Sequence, residues 1–455
     1  MNDRVLVVGH GPAAHRLVHR LRALGHTGPL TVLGRPGTHH GLATAVLTGA
    51  LPPDAADLPA HPAGTAEVHP VQAVRIDRAR HAVHADDGTV HRYDTLVLAT
   101  GARPRRPGPH LGGDVRALRA PARSAVGDGP VAVLGSGPYA VEAALALRRT
   151  GRDTVLVHPG DRLLDGLLDP GAADLLAVRL AAAGVDLRPG RTAVEHLPGT
   201  LVLDDGEALP ADTLLLDTGL RPTTGLARAA GLAVHRAVTV DALLRTSDPA
   251  VHALGDCADA PGDGWEQAEA LARLLTGATP RLRPGPVTRL PAADTLAIGT
   301  PGDGDQQLTL RDPARGRYAA LGLRGERIVS ASIVGLPRAV AAVTQLHDRD
   351  LPVPADRLAL LLGTPAALPG AAEPGPDTVV CHCATVTRRT LATAWHAGAC
   401  DPAALTAATR AGSGCGGCAG ELRALCQAFA REEAAAPGTG AVPAAPTRPR
   451  TEQPV

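Results

Sequence analysis

The sequence contains no lysine, and its 45 basic residues, all arginine, are matched by 45 acidic residues. A formal net charge of zero without a long basic run argues against nucleic acid or an anionic membrane surface as the main partner. No apolar stretch approaches the roughly 20 residues that a membrane-spanning helix needs. The opening "MNDRVLVVG" enters a strand-like run at once and is unlike a secretory signal peptide. We therefore expect a cytoplasmic protein.

Cysteine is also scarce, and its seven positions, an odd number, are not the framework of a disulfide-stabilised secreted protein. Four of them form Cys381-x-Cys383 and Cys415-x-x-Cys418, with 31 residues between the pairs. Four thiolates can bind zinc or an iron–sulfur cluster. A C-x-C arm is less usual for structural zinc, and the glycines of "GSGCGGC" let backbone N–H groups approach cluster sulfides. The pattern favours a cluster, with zinc or free thiols as alternatives.

The other cysteines and histidines near this module have simpler interpretations. Cys400 and Cys426 lie in helical patterns and are predicted to be small core residues. His382 and His396 are predicted to be bystanders, because four thiolates complete a cluster.

Two segments of the chain share one plan. "RVLVVGHGPAAHRLVHRL" opens the sequence, and "VAVLGSGPYAVEAALALRR" recurs from Val131. Each reads as an apolar strand, a Gly-rich turn and an amphipathic helix, and each leads to a second short strand. Two such units predict an α/β protein with two Rossmann-like dinucleotide-binding domains, followed by a C-terminal α/β segment and a small helical cysteine module. The predicted bounds are 1–115 with 240–280 for the first domain, 116–239 for the second, 281–362 for the α/β segment, 363–378 for a linker, 379–431 for the module and 432–455 for a disordered tail.

The first Gly-rich turn fits the pattern G-x-G-x-x-A. Its first glycine permits the tight turn, the second lets a pyrophosphate approach N–H groups at the helix N-terminus, and the small final residue allows close packing. The predicted cofactor contacts here are Gly9, Gly11, Pro12, Ala13 and Ala14.

The second turn repeats this logic. Its predicted contacts are Gly135, Gly137, Pro138, Tyr139 and Ala140. His158 ends the following strand, where Asp or Glu would favour the ribose of NAD and Arg a 2′-phosphate. Histidine at this position leaves the choice of nucleotide open.

The stretches "YDTLVLATGARPRRPG" and "LGDCADA", around the second Gly-rich unit, resemble the two-dinucleotide-binding-domain flavoprotein reductases over residues 3–340. The resemblance implies FAD in the first site and NAD(P)H in the second. It places the ATG strand by the flavin nucleotide and "WEQA" over the isoalloxazine. The residues that it assigns are Thr100, Gly101, Asp256 on the ribityl chain, Trp265, Glu266 and Gln267 for FAD, and Glu142 near the nicotinamide.

This sequence departs from that family in three places. The acid expected after the second strand, which would hold ribose hydroxyls, falls on Gly34-Arg35, so Arg35 either holds the ribose differently or weakens FAD binding. "THHGLATAVL" replaces an aromatic-Asn-Arg stretch, and flavin contacts there are not carried over. The third difference is from the disulfide reductases of the same fold, which need a cysteine pair beside the flavin. The first cysteine here is Cys257, which argues against thiol chemistry at the flavin. Cys257 is predicted to be a small packed residue.

The cysteine module resembles the small ferredoxin module of the bacterioferritin-associated type, which implies a [2Fe–2S] cluster on its four paired cysteines. A flavin accepts the two electrons of a hydride together and releases them singly. The expected order is therefore NADH, FAD, cluster and external acceptor. "VLVHPGDRLLDGLLDP" resembles the large subunit of NAD(P)H-dependent nitrite reductase, in which this histidine goes with NADH. NADH is the favoured donor.

The order of parts resembles the front half of that nitrite reductase subunit and the electron-transfer subunit of assimilatory nitrate reductase. We find no sirohaem reductase half in this sequence and expect no nitrite reduction by this polypeptide alone. The predicted function is a NADH-oxidising electron-transfer subunit that serves the catalytic subunit of a nitrate reductase. The alternatives are nitrite reductase as acceptor, a free carrier such as rubredoxin, or a non-catalytic zinc-binding scaffold or sensor. A protein is the expected partner, with neither nucleic acid nor membrane.

Overall fold

Two parallel sheets flanked by helices organise most of the chain. The computed structural model describes residues 3–106, 108, 110–118, 124–280, 287–362, 375–376, 378–381, 384, 386–413 and 418–435. These residues fall into two compact units. One extends up to Leu362 and includes Ser413, and the other is formed by the remaining described residues of the cysteine module, from Gly375 onward. Each unit is described by itself.

The first segment builds the predicted strand, turn and helix. All four side chains of Val5–Val8 are buried, as in a parallel strand covered on both faces. The helix after the turn begins at Pro12, whose missing N–H costs nothing at this position. The elements are β1 (Val5–Val8), α1 (Pro12–Ala23), β2 (Leu30–Leu33), α2 (Ala43–Leu47), β3 (Glu67–His69), β4 (Ala73–Asp77), β5 (Ala82–Ala85), β6 (Val90–Arg92), β7 (Thr95–Leu98), β8 (Ala102–Pro104) and β9 (Asp114–Ala117).

The second Gly-rich unit repeats the arrangement, and the chain then returns to the first domain. The second unit comprises β10 (Val131–Leu134), α3 (Pro138–Arg149), β11 (Thr154–His158), α4 (Pro170–Ala182), β12 (Asp186–Pro189), β13 (Ala193–Leu197), β14 (Gly199–Leu203), β15 (Ala208–Ala211), β16 (Thr213–Leu216), β17 (Leu220–Pro222) and α5 (Gly225–Ala229). The returning segment comprises β18 (Val238–Thr239), β19 (Val251–Ala253), β20 (Ala258–Asp259) and α6 (Gly264–Leu275).

The two parallel sheets have the same strand order. The first runs β19-β7-β1-β2-β3 and the second β9-β16-β10-β11-β12. Their registers also match, because the amide of Gly9 donates to the Leu33 carbonyl at 2.8 Å and that of Gly135 to the Val157 carbonyl at 2.9 Å. Strand β9 joins the second sheet although it begins just before the predicted boundary at residue 115. The domain bounds otherwise stay predictions.

Helices α1 and α6 pack on each other in the first domain. Leu17 and Leu271 are fully buried in their common core. The guanidinium of Arg20 on α1 donates to the carboxylate of Glu269 on α6 at 2.8 Å. This contact holds the middle of α6 against α1. The start of α6 lies beside the first Gly-rich turn, because a Cβ on Gly264 would lie 3.0 Å from the Cβ of Ala13.

Residues 287–362 form an antiparallel sheet of order β21-β22-β25-β24-β23 with two helices. Tyr318 and Val334 of this sheet share a core with α3 and α4 of the second nucleotide-binding domain. The elements are β21 (Val287–Leu290), β22 (Thr295–Ile298), β23 (Gln306–Asp312), β24 (Arg317–Arg324), β25 (Arg327–Val334), α7 (Pro337–Asp348) and α8 (Arg357–Leu362).

The cysteine module is a small hairpin and three helices. Trp395 and Phe429 form its core with ring centroids 5.5 Å apart. Its last helix runs through Ala435, so residues 432–435 of the predicted disordered tail are helical, as alanine and glutamate favour. Residues 436–455 lie outside the described residues, as does most of the predicted linker. The elements are β26 (Val379–Cys381), β27 (Val386–Thr387), α9 (Arg388–His396), α10 (Pro402–Thr409) and α11 (Ala419–Ala435).

Among the helices that the structure describes, none combines the length and the apolar character needed to cross a membrane.

Candidate active site

The two glycines of the first Gly-rich turn differ in the space around them: Gly9 is tightly packed, whereas Gly11 borders open space. Gly9 has φ of +109°, and a Cβ there would overlap the carbonyl oxygen of Ala99. This position therefore requires glycine. A Cβ on Gly11, by contrast, would meet nothing within 4 Å. Gly11 precedes α1, so the open space lies where N–H groups at the helix N-terminus attract a pyrophosphate. The turn fits FAD.

The "GDCA" segment is held against the N-terminus of α1. A Cβ on Gly255 would lie 3.4 Å from the Cβ of Ala13. The amide of Gly255 donates to Oε1 of Gln267 at 2.7 Å, and Nε2 of Gln267 donates to the Gly262 carbonyl at 3.2 Å. Buried Gln267 thus binds this segment to the start of α6, while Asp256 is exposed beside it. Its place favours the predicted ribityl contact, which stays a prediction.

The start of α6 is shaped by its own cap. Oδ1 of Asp263 accepts from the amides of Trp265 and Glu266, both at 2.9 Å. The guanidinium carbon of Arg16 lies 5.0 Å from the Trp265 ring centroid, a cation–π distance. The His39 ring, from the "THHG" stretch, lies 6.2 Å from the Trp265 ring. The indole is therefore oriented by α1 and by the loop that departs from the family pattern.

The "ATG" strand end joins the two nucleotide-binding domains. The hydroxyl of Thr100 donates to the Thr223 carbonyl at 2.7 Å, and the amide of Thr223 donates to the Gly101 carbonyl at 2.9 Å. Cys257 is fully buried, and burial raises the pKa of its thiol. Its Sγ lies 3.4 Å from the Leu98 carbonyl oxygen. Cys257 is the predicted packed residue.

The end of β2 carries no acid. Gly34 continues the register of β2 to a place opposite Gly9, and Arg35 follows it as an exposed residue. The predicted effect of Arg35 on FAD binding stays a prediction. A Cβ on Gly34 would lie 3.2 Å from the amide nitrogen of His10, so a small residue suits this close approach.

The second Gly-rich turn has the same backbone packing as the first, but a carboxylate, that of Asp217, lies beside it. A Cβ on Gly135 would overlap the carbonyl oxygen of Asp217, as at the first turn. Oδ2 of Asp217 accepts from the amide of Ala140 at 3.0 Å. The same oxygen would lie 2.5 Å from a Cβ on Gly137. A carboxylate therefore occupies the N-terminal turn of α3, where a pyrophosphate would bind.

Asp217 was not among the residues predicted from the sequence. A sequence pattern that could have identified Asp217 is present. "LLLDTG", which precedes β17, parallels "LVLATG", which precedes β8. The two strands place Asp217 and Ala99 at equivalent positions, with the same carbonyl contact to a glycine.

His158 lies at the end of β11 and is 2% exposed. Burial lowers the pKa of His158, with the nearby Asp161 acting in the opposite direction, so its imidazole is neutral at pH 7. Tyr139 and Glu142 on α3 are half-buried. The contacts predicted for these three residues stay predictions.

The structure describes two of the four predicted cluster ligands in the cysteine module. Cys381 ends β26 and is fully buried, and Cys418 precedes α11 and is 6% exposed. None of the described cysteines forms a disulfide. Cys383 and Cys415 lie outside the described residues, as does His382. Buried thiols suit cluster ligation.

Of the two other cysteines in the module, Cys426 occupies the predicted core position and Cys400 does not. Cys426 is buried in α11, and burial raises the pKa of its thiol. The prediction of a core position for Cys400 was wrong, because Cys400 is exposed. It lies in the turn between α9 and α10 rather than in a helix, and its amide donates to the Gly398 carbonyl at 3.1 Å.

Comparison with protein families agrees with this division of sites. A model described as pyridine nucleotide-disulphide oxidoreductase matches residues 3–273. The chain belongs to this family. A second model, described as a BFD-like [2Fe-2S] binding domain, matches residues 379–428. The predicted fold class and the predicted FAD, NAD(P)H and [2Fe–2S] cofactors are confirmed at the level of these domains.

Individual relatives of this oxidoreductase are electron-transfer reductases. The probable ferredoxin reductase CtmF of Castellaniella defragrans is 30% identical over 76% of this chain and 93% of its own length. The rubredoxin-NAD(+) reductase of Pseudomonas putida is 29% identical over 74% of this chain and 97% of its own length. The nitrite reductase [NAD(P)H] large subunit of Klebsiella oxytoca is 29% identical over 75% of this chain but only 39% of its own length.

A solved structure extends the agreement to three dimensions. The covalent putidaredoxin reductase–putidaredoxin complex matches with a TM-score of 0.68 and 27% identity, over 77% of this chain and 94% of that one. This pyridine nucleotide-disulphide oxidoreductase is thus a flavin- and NAD(H)-dependent enzyme of the ferredoxin and rubredoxin reductase type. That finding argues against a non-catalytic zinc scaffold.

Replacing Gly11 by alanine should remove FAD without unfolding the protein. The added methyl group meets no protein atom but fills the space of the pyrophosphate. Overpacking of about 1–3 kcal/mol corresponds to FAD binding that is about five- to 150-fold weaker. Flavin content per chain and circular dichroism measure the two effects. Gly127→Ala is the control, because its Cβ also meets nothing within 4 Å and lies elsewhere. Full flavin content in Gly11→Ala would contradict the assignment.

Replacing Asp217 by asparagine should tighten NADH binding. The change removes a negative charge from a helix N-terminus, an effect of about 0.3–2 kcal/mol, so KM for NADH should fall about two- to thirtyfold with little change in kcat. Steady-state reduction of a dye by NADH measures both constants. Asp212→Asn, which alters the opposite end of β16, should leave KM unchanged. An unaltered KM in Asp217→Asn would show that the carboxylate does not oppose the nucleotide.

Proposed function

We propose that this protein oxidises NADH and delivers electrons singly, through its C-terminal [2Fe–2S] module, to a separate protein. The observation that carries this proposal is the joining of a reductase, residues 3–273, and a cluster-binding domain, residues 379–428, in one chain. FAD, when bound, supplies the conversion between a hydride and single electrons. The buried thiols of Cys381 and Cys418 would hold the one-electron centre.

The surroundings of the second turn support NADH as the donor. Burial keeps His158 uncharged at neutral pH, so it offers no positive charge to a 2′-phosphate. Asp161 follows shortly after β11 as an exposed carboxylate and lies close enough to His158 to influence its pKa. A negative charge near the ribose disfavours the additional phosphate of NADPH.

Changing the donor from NADH to NADPH should lower kcat/KM by about tenfold or more, equivalent to about 1.4 kcal/mol. Anaerobic flavin reduction and steady-state dye reduction measure the difference. Asp161→Asn should reduce this difference in kcat/KM, because the variant removes a negative charge that acts on His158. Asp174→Asn, which changes an exposed acid on α4, should leave the difference as it is. Equal use of both donors by the unmodified protein would exclude this specificity.

We propose the catalytic subunit of an assimilatory nitrate reductase as the acceptor. The order of reductase and [2Fe–2S] domains supports this choice, together with the similarity to the Klebsiella oxytoca nitrite reductase subunit. The similarity to the Pseudomonas putida rubredoxin reductase, which is covered over nearly its whole length, favours rubredoxin as the second candidate. Nitrite reductase remains the third.

Replacing Cys418 by serine should abolish reduction of the protein acceptor while NADH still bleaches the flavin. The reason is that loss of one thiolate removes the one-electron centre but leaves the two Gly-rich sites intact. NADH oxidation with purified nitrate reductase and nitrate, or with rubredoxin, measures the first activity, and anaerobic flavin absorbance measures the second. Cys400→Ser, an exposed cysteine, is the control.

Two results would change the proposal. An undiminished rate to the acceptor in Cys418→Ser would place the cluster outside the electron route. Rapid reduction of rubredoxin, with none of nitrate reductase, would replace the first acceptor by the second.

A further inference from the structure

Four histidines meet beside the first Gly-rich turn, in a place that the proposed electron route does not use. His10 lies in the turn itself, His15 and His19 are one helical turn apart on α1, and His61 lies in the loop between α2 and β3. Nδ1 of His61 is 3.3 Å from Nε2 of His19. Nε2 of His61 is 3.2 Å from Nε2 of His10. We refer to these four residues as the histidine cluster.

Three members of the histidine cluster have the spacing of metal ligands. The ligand nitrogens of His15, His19 and His61 all lie within 4.8 Å of one another. Zinc–nitrogen distances of about 2.0–2.1 Å place two nitrogens of a tetrahedral site roughly 3.3–3.4 Å apart. His19 and His61 already have this separation. The His15 and His61 rings stack with centroids 4.5 Å apart and must tilt further for both to bind one ion.

The helix and the loop supply these ligands in a favourable way. Histidines at i and i+4 project from one face of a helix, the spacing by which helices present paired histidines to zinc. Nε2 of His15 lies 3.0 Å from the Pro59 carbonyl oxygen. Because a carbonyl only accepts, Nε2 donates, and Nδ1 of neutral His15 keeps its lone pair. Donation to a backbone carbonyl is also how metal-binding histidines are usually oriented.

The surroundings of the three imidazoles are partly withdrawn from water, because His15 is buried and His19 and His61 are half-buried. A cation bound here meets the positive charge of Arg16 on α1. A carboxylate oxygen of Glu269 lies 3.6 Å from the Arg16 guanidinium and offsets that charge.

We propose that His15, His19 and His61 form a binding site for a transition-metal dication of the zinc and copper class, with His10 hydrogen-bonded to His61. Imidazole is a preferred ligand of these ions, whereas calcium and magnesium prefer oxygen. An ion bound here connects the loop of His61 to α1 and stabilises the surroundings of the first Gly-rich turn. The site is independent of the thiolates of the cysteine module.

The experiment is a zinc titration of the untagged, oxidised holoenzyme by isothermal calorimetry, after an EDTA wash that leaves its flavin and iron content unchanged. We expect one zinc per chain. His19→Gln and His61→Gln should weaken binding by about tenfold or more, since each removes one ligand. His84→Gln, in β5 and outside the histidine cluster, should bind as the unmodified protein does. Absence of zinc binding, or equal affinity in all variants, would overturn the proposal.

A second measurement covers the case in which the histidine variants do not fold. Stoichiometric copper(II) added to the oxidised holoenzyme should give an electron paramagnetic resonance spectrum with nitrogen couplings from imidazole. The oxidised [2Fe–2S] cluster is diamagnetic and does not obscure it. A copper spectrum without nitrogen couplings would overturn the assignment of ligands.

Discussion

Both nucleotide sites depend on one contact, the packing of a side-chain-free glycine against a backbone carbonyl of a neighbouring strand. Gly9 packs on Ala99 and Gly135 on Asp217, and in each case a Cβ would overlap the carbonyl oxygen. The contact lets the carboxyl ends of two parallel strands converge, so that the next helix begins at the same edge of the sheet. Helix N-termini at such an edge are natural sites for pyrophosphates. Without this glycine–carbonyl contact, the helix N-terminus and the strand ends would not lie close enough together to bind one cofactor.

The same backbone carries different electrostatics in the two domains. Alanine at position 99 leaves the first helix N-terminus available, whereas Asp217 already hydrogen-bonds to the amide of Ala140 at the second. A carboxylate at a helix N-terminus competes with an anionic ligand for the same N–H groups and the same positive potential. This difference suits a resident flavin in the first site and a nucleotide that binds and leaves in the second.

The fusion of the reductase and the cysteine module also has a physical consequence. In the proposed electron route, delivery between two parts of one chain would not depend on the protein concentration, because the connection sets the effective concentration. The module has its own aromatic core and its own capped helices, with Asp401 accepting from two amides at the start of α10. Its fold therefore does not rely on the reductase for these interactions.

The sequence alone determined the two Gly-rich units, the order of the domains and the paired cysteines, because each depends on local spacing that repeats along the chain. It did not reveal that Cys400 is exposed, since helical periodicity does not show where one helix ends. It also did not identify Asp217 or the histidine cluster. His10, His19 and His61 are separated in sequence, and only the packing of a loop on α1 brings their nitrogens within 3.3 Å of one another in successive pairs. Only the tertiary structure determines contacts such as these, because they join segments that are distant in sequence. The residue pattern of one segment does not show which other segment packs against it.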